Sequence, residues 1–445
     1  WKQLGRYRHM PEILQDPVND DGIWAPYAGG VYYLDKIHSD NPEIRERSDG
    51  VETLVTQKGI CLPAQEAPMF LAGMMDHGYR AQETLADRAP ESFPSINQCA
   101  GIDFCEEDPS YVVRAGLQGH PPTSKGDVTV SHDYGRNYVQ KPWRAILGLN
   151  DCAVGATLQA NGHPIIMMMS SGDPHNKGED RGIYRSLDGG DTWEKSEDVN
   201  VIRPQASWYQ TRCLASDRVD GKTFYYMEED ALWRTKNGGA SWKIIKKFDS
   251  DTSYSTQTVR TLPGIEGAVW HTNPWGTFSV SYDFGDSWHE LKTIKYLRSY
   301  SYGFGIGKSG TKNPAVYVVG YVDGKMSTYI SDDLGKTWRN IGIENQKFQS
   351  SVVDVAGDRK YYGRCFVSTG GSGVVAGWPV TLDDVIPVIT MDTKSSGEAN
   401  TPEYAVNKKD FVVSGSVNEI AEVRVNGNVV KVDGYDKFYY STKLK

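Results

Sequence analysis

One eight-residue pattern recurs along this chain at intervals of about fifty residues, a period typical of propeller blades or solenoids. The pattern has Ser or Thr first, Asp or Asn third, Gly fifth and an aromatic residue eighth. Its copies are "SHDYGRNY" from Ser131, "SLDGGDTW" from Ser186, "TKNGGASW" from Thr235, "SYDFGDSW" from Ser281 and "SDDLGKTW" from Ser331. A short alternating apolar run precedes each copy, which predicts strand, tight turn and strand.

The residue types fit a hairpin turn. The third-position carboxylate or amide can accept hydrogen bonds from its own turn, and glycine supplies positive φ at Gly190, Gly239, Gly285 and Gly335. The closing Trp is expected to bury its ring between neighbouring sheets. We therefore interpret these aspartates as structural residues on the outer rim, away from any central cleft.

The fold class is predicted to be all-β. Four-stranded units of this length repeated around an axis make a β-propeller, and positions 51–378 have room for six or seven blades. Positions 379–445 alternate strands with turns, including a hairpin signal at Asn426-Gly427, and resemble part of an immunoglobulin-like β-sandwich module.

Composition excludes several functions. A net charge of -9 argues against nucleic-acid binding, and without a run of eighteen apolar residues no membrane span is expected. The six cysteines are widely spaced and indicate buried thiols, with one or two disulfides as the alternative. Metal-ligand spacing is missing, so we predict neither a metal nor another cofactor.

Several longer segments, taken in order, resemble glycoside hydrolase family 74, the xyloglucanases and related endo-β-1,4-glucanases. They include "GVETLVTQKGICLP" from Gly50, "GIDFCEEDPSYVVRAG" from Gly101 and "GAVWHTNPWGTFSVSYDFGDSW" from Gly267. The closing segment "GRCFVSTGGSGVVAG" (Gly363–Gly377) is similar to the family's "GRVYxxTxGxGIxxG" signature. The resemblance implies two propellers with a cleft between them, each contributing one catalytic aspartate. Positions 1–50 then correspond to the tail of the first propeller.

By this resemblance, Asp76 in "GMMDHGYR" is the catalytic aspartate of the second propeller and acts as the general acid. Its position after an apolar run would favour a raised pKa, whereas the alternative is a turn-capping Asp before Gly78. The general base is expected on the first propeller, which this chain lacks and which is its expected partner. Carboxylates in turn-like segments are interpreted as solvated loop charges: Asp103, Glu106, Glu107, Asp173 and Glu228 to Asp230.

A polysaccharide cleft also needs aromatic platforms, because the C–H faces of sugars stack on flat rings. The candidate substrate-binding residues are Trp24, His77, Tyr79, Trp208, Tyr209, Trp270, Trp275, Tyr300 and Tyr302. Packing is the alternative role for each aromatic ring, and a plain turn residue is the alternative for His77.

The expected function is that of a secreted, inverting endo-β-1,4-glucanase acting on xyloglucan or a related branched glucan. The loop "MMDHGYR" departs from the family's "GDxGGF" motif, which leaves open a hydrolase or lyase for a different branched or acidic polysaccharide. A non-catalytic propeller that binds glycan or protein is the third possibility. A sialidase is disfavoured because no "RIP" type motif stands near the start of the sequence.

Overall fold

A computed structural model provides the structure of the protein. It describes residues 13–27, 30–47, 54–75, 78–84, 98–118, 125–143, 150–170, 181–199, 201, 212–228, 230–248, 258–272, 276–296, 301–345, 348, 351–377, 389–391, 410–417, 423–425, 428–430 and 437–443. Every regular element in this part of the chain is a β-strand, so the predicted all-β class is confirmed.

The first four strands form an antiparallel sheet of their own, the N-terminal sheet. Its strands are β1 (Leu14–Asp16), β2 (Asn19–Tyr27), β3 (Gly30–Asp35) and β4 (Glu43–Glu46), paired in chain order. Ala25 and Leu34 are buried on one face, where Ile23, Tyr32, Ile37 and Ile44 pack against them.

Seven further antiparallel sheets follow, here called ring sheets 1 to 7. Ring sheet 1 contains β5 (Thr56–Ile60), β6 (Phe70–Met74) and β7 (Tyr79–Gln82); ring sheet 2 contains β8 (Gln98–Phe104), β9 (Val112–Gln118), β10 (Lys125–Ser131) and β11 (Val139–Gln140). Ring sheet 3 contains β12 (Asn150–Leu158), β13 (Pro164–Ser170), β14 (Gly182–Ser186) and β15 (Glu194–Lys195); ring sheet 4 contains β16 (Leu214–Ser216), β17 (Phe224–Glu228), β18 (Ala231–Thr235) and β19 (Lys243–Lys247). Ring sheet 5 contains β20 (Thr258–Thr261), β21 (Val269–Thr272), β22 (Phe278–Ser281) and β23 (His289–Leu291). Ring sheet 6 contains β24 (Lys295–Tyr296), β25 (Tyr302–Gly305), β26 (Ala315–Val322), β27 (Lys325–Ser331) and β28 (Arg339–Asn340); ring sheet 7 contains β29 (Val352–Gly357), β30 (Cys365–Thr369) and β31 (Val374–Gly377).

Each ring sheet has one strand nearest the centre of the ring, here called its leading strand: β5, β8, β12, β16, β20, β25 and β29. The leading strands form a closed series. Strand β5 contacts β8, β8 contacts β12, β12 contacts β16, β16 contacts β20, β25 contacts β29, and β29 returns to β5. The step from ring sheet 5 to ring sheet 6 is made by the guanidinium of Arg260, which donates to the carbonyl oxygen of Tyr302. Radial antiparallel sheets around a common axis are the arrangement of a β-propeller.

Apolar cores fill the spaces between neighbouring ring sheets. Val113 and Val128 of ring sheet 2, for example, pack with Val154 and Ile166 of ring sheet 3. The ring closes in the same way, because Phe70 of ring sheet 1 stacks on Phe366 of ring sheet 7 with ring centroids 4.7 Å apart. All six cysteines are buried free thiols, as predicted.

Each repeated pattern forms the hairpin between the last two strands of its sheet, as predicted. The first-position hydroxyl donates to the third-position side-chain oxygen at 2.7–2.8 Å in the five copies. It also accepts the N–H of the fifth-position glycine at 2.8–3.0 Å. The seventh-position N–H donates to the third-position side chain at 2.8–3.0 Å. Both the fourth and fifth residues have positive φ, including the non-glycine residues Tyr134, Phe284 and Leu334.

The hairpins also join each sheet to the sheet before it. The indole N–H of Trp193 in ring sheet 3 donates to the carbonyl of Pro142 next to ring sheet 2 at 3.0 Å. The indole N–H of Trp338 in ring sheet 6 donates to the hydroxyl of Thr293, at the end of ring sheet 5, at 3.0 Å. The predicted packing of these rings between sheets is therefore confirmed for these two copies.

The C-terminal strands form two small sheets. Strands β32 (Ile389–Met391), β33 (Asp410–Val417) and β36 (Lys437–Lys443) pair in that order, and β34 (Val423–Val425) pairs with β35 (Asn428–Val430). Val425 faces Asn428 in the second pair, so the predicted hairpin connects through positions 426–427.

The hairpin carboxylate supports a stability prediction. Hydrogen bonds from the Ser287 hydroxyl and backbone N–H hold the pKa of Asp283 at about 2. We expect Asp283→Ala to cost about 1 kcal/mol of unfolding free energy, since these bonds involve a charged but exposed group. A carboxyl whose pKa is lowered by folding stabilises the protein above its unfolded pKa of about 4, and this contribution disappears as the pH falls through the folded value.

Thermal unfolding at a series of pH values checks this prediction. The difference between Asp283→Ala and the unaltered protein should be constant at neutral pH and shrink between about pH 4 and pH 2. Glu290→Ala, which removes an exposed carboxylate from the same hairpin, is the control. An equal effect of both substitutions would contradict the role assigned to the hairpin bonds.

Candidate active site

The candidate acid belongs to the β6–β7 hairpin, but Asp76 and His77 themselves lie outside the described residues. The described ends of their connection are fixed by the backbone. The N–H of Met74 donates to the carbonyl of Gly78 at 2.8 Å, and the N–H of Met75 donates to the carbonyl of Val55 at 2.9 Å. Gly78 has a φ of 69°, which favours glycine at this corner. The residues on both sides of positions 76 and 77 are therefore held by backbone hydrogen bonds.

A buried hydroxyl joins this region to the closing segment of the ring. Thr56 Oγ1 lies 2.9 Å from the carbonyl oxygen of Thr369 and 3.0 Å from that of Gly373, and it accepts the N–H of Thr369 at 3.2 Å. Both threonines are fully buried. Val55 also forms an antiparallel bridge with Gly370. The hairpin of the candidate acid and the family-like closing segment, far apart in sequence, therefore meet where the ring closes.

Tyr79, predicted to bind substrate, is buried at 2% exposure. Its hydroxyl donates to the carbonyl of Gly135 at 2.9 Å, and the guanidinium of Arg114 lies 5.0 Å from its ring centroid. The ring thus ties the start of β7 to the repeat hairpin of ring sheet 2. It has a packing role here and offers no open face to a sugar.

Trp270 and Tyr302, two other predicted sugar platforms, are fully buried as well. They pack with Phe278 in the core between ring sheets 5 and 6. The structure therefore corrects the prediction for these two rings, since a stacking platform must expose a face. Their sequence neighbourhood suggested loops, whereas both residues stand on strands whose burial depends on the next sheet.

Trp24 is the remaining aromatic candidate among the described residues. Trp24 is partly exposed on β2, and its ring centroid lies 4.7 Å from that of Tyr33. Trp208, Tyr209, Trp275 and Tyr300 lie outside the described residues.

Strand direction nevertheless separates two ends of the ring. The repeat hairpins lie with the turns that follow the leading strands, as when the N–H of Phe284 donates to the carbonyl of Gly267 at 2.8 Å. Because neighbouring strands are antiparallel, the opposite end carries the β6–β7 connection and the starts of the connections that leave ring sheets 2 to 6. The segments that contain Asp76, Trp208, Tyr209 and Trp275 start from strands that end there, and the segment that contains Tyr300 follows β24, which pairs with the part of β26 at that end.

Two of the carboxylates predicted to be solvated loop charges, Asp103 and Glu106, are instead largely shielded from solvent in ion pairs. Arg218 Nη1 lies 2.9 Å from Asp103 Oδ1, and Arg218 Nε lies 2.8 Å from Glu106 Oε1. Arg359 pairs with the same Glu106 oxygen at 2.9 Å. Burial would raise the pKa of Glu106, but the two arginines lower it to about 2. Glu106 is therefore ionised at neutral pH and unsuited to act as a general acid.

The other carboxylates differ from one another. Glu107 is exposed, as predicted, and accepts the N–H of Leu158 at 2.8 Å, while Asp230 is partly exposed. Glu228 is buried and hydrogen-bonded to the hydroxyl of Tyr226, which corrects the prediction for this residue. Asp173 and Glu229 lie outside the described residues. In the part of the chain that the structure describes, no cluster of three or more His, Cys, Asp or Glu side chains could hold a metal ion. The same part contains no helix of the length and apolarity needed to cross a membrane.

The fold and the repeat hairpins together define a β-propeller. No protein-family model matches the chain. Among curated proteins it is similar to the xyloglucanase Xgh74A of Acetivibrio thermocellus, with 24% identity over 428 residues, covering 93% of this chain and 48% of that protein. A xyloglucanase of a Paenibacillus species is 25% identical over 441 residues, covering 95% and 40%. An oligoxyloglucan-reducing end-specific xyloglucanase of Emericella nidulans is 23% identical, covering 82% and 46%.

Solved structures give the same result for the fold. A glycoside hydrolase family 74 enzyme of Niastella koreensis matches with a TM-score of 0.64 at 22% identity, over 83% of this chain and 49% of that one. The family 74 xyloglucanase of Xanthomonas campestris matches with a TM-score of 0.62 at 20% identity, over 83% and 50%. The resemblance predicted from the sequence is confirmed. The chain spans about half the length of these relatives or less.

The buried hydroxyl of Thr56 provides a prediction for the ring closure. Thr56→Val keeps the shape but removes the hydroxyl, so Thr369 loses an acceptor for its N–H. We expect a loss of about 1–3 kcal/mol in unfolding free energy, because the groups left behind are buried. Thermal unfolding measures it, as a fall of roughly 2–6 °C in the midpoint. Thr56→Ser retains the hydroxyl and should stay close to the unaltered protein; equal losses in both variants would show that packing, not the hydrogen bonds, is responsible.

Proposed function

We propose that this chain is part of a glycoside hydrolase that cleaves xyloglucan or a related branched β-1,4-glucan. The observation that carries this proposal is the similarity to xyloglucanases over nearly the whole chain, 93% of it for the Acetivibrio thermocellus protein. The shared propeller fold supports it. Secretion is part of the proposal, because such a polymer must be met outside the cell.

We further propose that the seven ring sheets are the seven blades of one propeller. The N-terminal sheet, within positions 1–50, then belongs to a preceding propeller, and positions 379–445 form an immunoglobulin-like module. The assignment of the seven ring sheets to one propeller rests on the closed series of contacts from ring sheet 1 to ring sheet 7. The partner of this propeller would be the other propeller of the same protein.

The proposed chemistry is hydrolysis with inversion. Asp76 donates a proton to the leaving glycosidic oxygen, while a carboxylate on the other propeller activates water on the opposite face of the sugar. Inverting enzymes hold the two carboxyl groups roughly 6.5–9.5 Å apart, which suits a cleft between two bodies. The described ends of the β6–β7 hairpin support Asp76 in this role, because fixed ends restrict where its carboxyl can be placed.

Substrate contacts are proposed at the same end of the ring. His77, Trp208, Tyr209, Trp275 and Tyr300 belong to segments that start there, and their rings would supply the apolar faces that sugars stack on. Trp24 would contribute from the N-terminal sheet, where its ring is partly exposed.

Reducing-sugar release from xyloglucan tests the proposal, with barley β-glucan and carboxymethylcellulose beside it. The assay uses this chain and any longer product that its gene encodes. Asp76→Asn should lower the rate by about 10²–10⁴-fold, as expected for loss of a general acid. The matched control is Asp133→Asn, because Asn237 already occupies the equivalent hairpin position.

Each outcome has a definite meaning. Activity that Asp76→Asn abolishes and Asp133→Asn spares supports the proposed acid. If Asp76→Asn retains the activity, a residue other than Asp76 is the general acid. If the longest product releases no reducing sugar from any β-glucan, the substrate assignment is overturned. The protein would then act on a different polysaccharide or have a binding role.

A further inference from the structure

A cavity of about 150 Å³ lies at the centre of the ring, among the leading strands. A single water needs only about 10–15 Å³ measured in this way, so the cavity has room for a small polyatomic ion. Its described lining contains five basic side chains and one acidic side chain: Lys58, Arg212, Arg218, Arg260, Arg359 and Asp103.

The basic side chains are held by four carboxylates, of which Asp151 and Asp354 are buried and Asp103 and Glu106 are partly buried. Asp354 accepts from both Arg212 and Arg260, and Glu106 accepts from both Arg218 and Arg359. Arg218 also pairs with Asp103, and Lys58 lies 3.3 Å from Asp151.

Among the described residues of this network, five positive charges face four negative ones. All nine side chains are at most 16% exposed, so water can compensate the extra charge only weakly. The pKa of Arg212 agrees with this excess. Burial lowers it, Asp354 opposes the change and Arg260 adds to it, so that the pKa falls to about 10.

Four of the five cations are arginines, and a guanidinium offers its N–H donors as a planar fork that matches a carboxylate. Arg359, for example, has five N–H donors. It donates one N–H from each terminal nitrogen to the Glu106 carboxylate, at 2.9 and 3.0 Å. The remaining donors of Arg359 and the excess positive charge of the described network have the same complement, a small monovalent oxyanion.

We propose that the central cavity is a binding site for a small monocarboxylate, such as formate or acetate, held by the arginines of ring sheets 4, 5 and 7. The site is independent of the proposed hydrolase activity, because it uses none of the residues proposed to contact the glucan. Its occupant balances the charge of the network on which the leading strands are assembled.

Calorimetric titration of the unaltered chain with sodium acetate in a zwitterionic buffer tests the proposal directly. We expect saturable binding of one acetate per chain and, at saturation, a rise of about 2 °C or more in the unfolding midpoint. Absence of saturable binding would overturn the proposal. An equal response to chloride would overturn the assignment to carboxylates.

A pair of matched variants tests the charge argument. Ala215 lines the cavity and is 9% exposed. Ala215→Asp would place a carboxylate there and remove the acetate response, whereas Ala215→Asn has nearly the same size and should retain it. Loss of the response in both variants would be steric and would contradict the charge argument, as would an undiminished response in Ala215→Asp. If both variants fail to fold, the titration of the unaltered chain still decides.

Discussion

The ring depends on carboxylates that reach from one leading strand to the backbone of the next. Asp151 of β12 accepts the N–H groups of Cys213 and Leu214 at 3.0 and 3.1 Å, where ring sheet 4 begins. Asp354 of ring sheet 7 accepts the N–H of Gly59 in ring sheet 1 at 2.7 Å. A leading strand is a sheet edge, and its N–H groups have no ladder partner on the side facing the axis. Charge-assisted hydrogen bonds satisfy these groups and fix one sheet against another.

This solution creates a second requirement, because a buried carboxylate must itself be compensated. Lys58 and the arginines of the central cavity provide the compensation, and each belongs to a different sheet from the carboxylate with which it pairs. The ion pairs therefore do not strengthen single sheets. They join sheets that are not neighbours, across the centre of the ring, whereas the apolar cores between neighbouring sheets supply the area that is removed from water.

Features formed by residues close together in the sequence are predicted well, whereas features formed by residues far apart in the sequence are missed. The repeat hairpin is predicted in detail because its bonds join residues at most four positions apart, as between Ser281 and Asp283 and between Asp283 and Ser287. The ion pairs of Glu106 are missed because Arg218 and Arg359 follow it by 112 and 253 residues. A carboxylate followed by Asp and Pro resembles a solvated turn until its distant partners are known.

The same reasoning explains the misassigned aromatic residues. Trp270 stands close to Asn and Pro in the sequence, which is typical of a loop, yet its ring is enclosed by Phe278, Tyr302 and Phe304 from its own sheet and the next. Burial in a propeller is decided by the neighbouring blade, and alternation along one strand does not reveal it, because both faces of each sheet are covered.

Closing the ring places a special demand on ring sheets 1 and 7, which are joined without chain continuity. Three contacts hold these two sheets together: the buried Thr56 hydroxyl, the Val55–Gly370 bridge and the stacked rings of Phe70 and Phe366. The hairpin proposed to carry the general acid starts from this junction, since the N–H of Met75 donates to the carbonyl of Val55. A catalytic carboxyl needs fixed support, because a small displacement of a reacting group is costly for the rate. The junction of ring sheets 1 and 7, held by these contacts, is thus a physically reasonable support for the proposed acid.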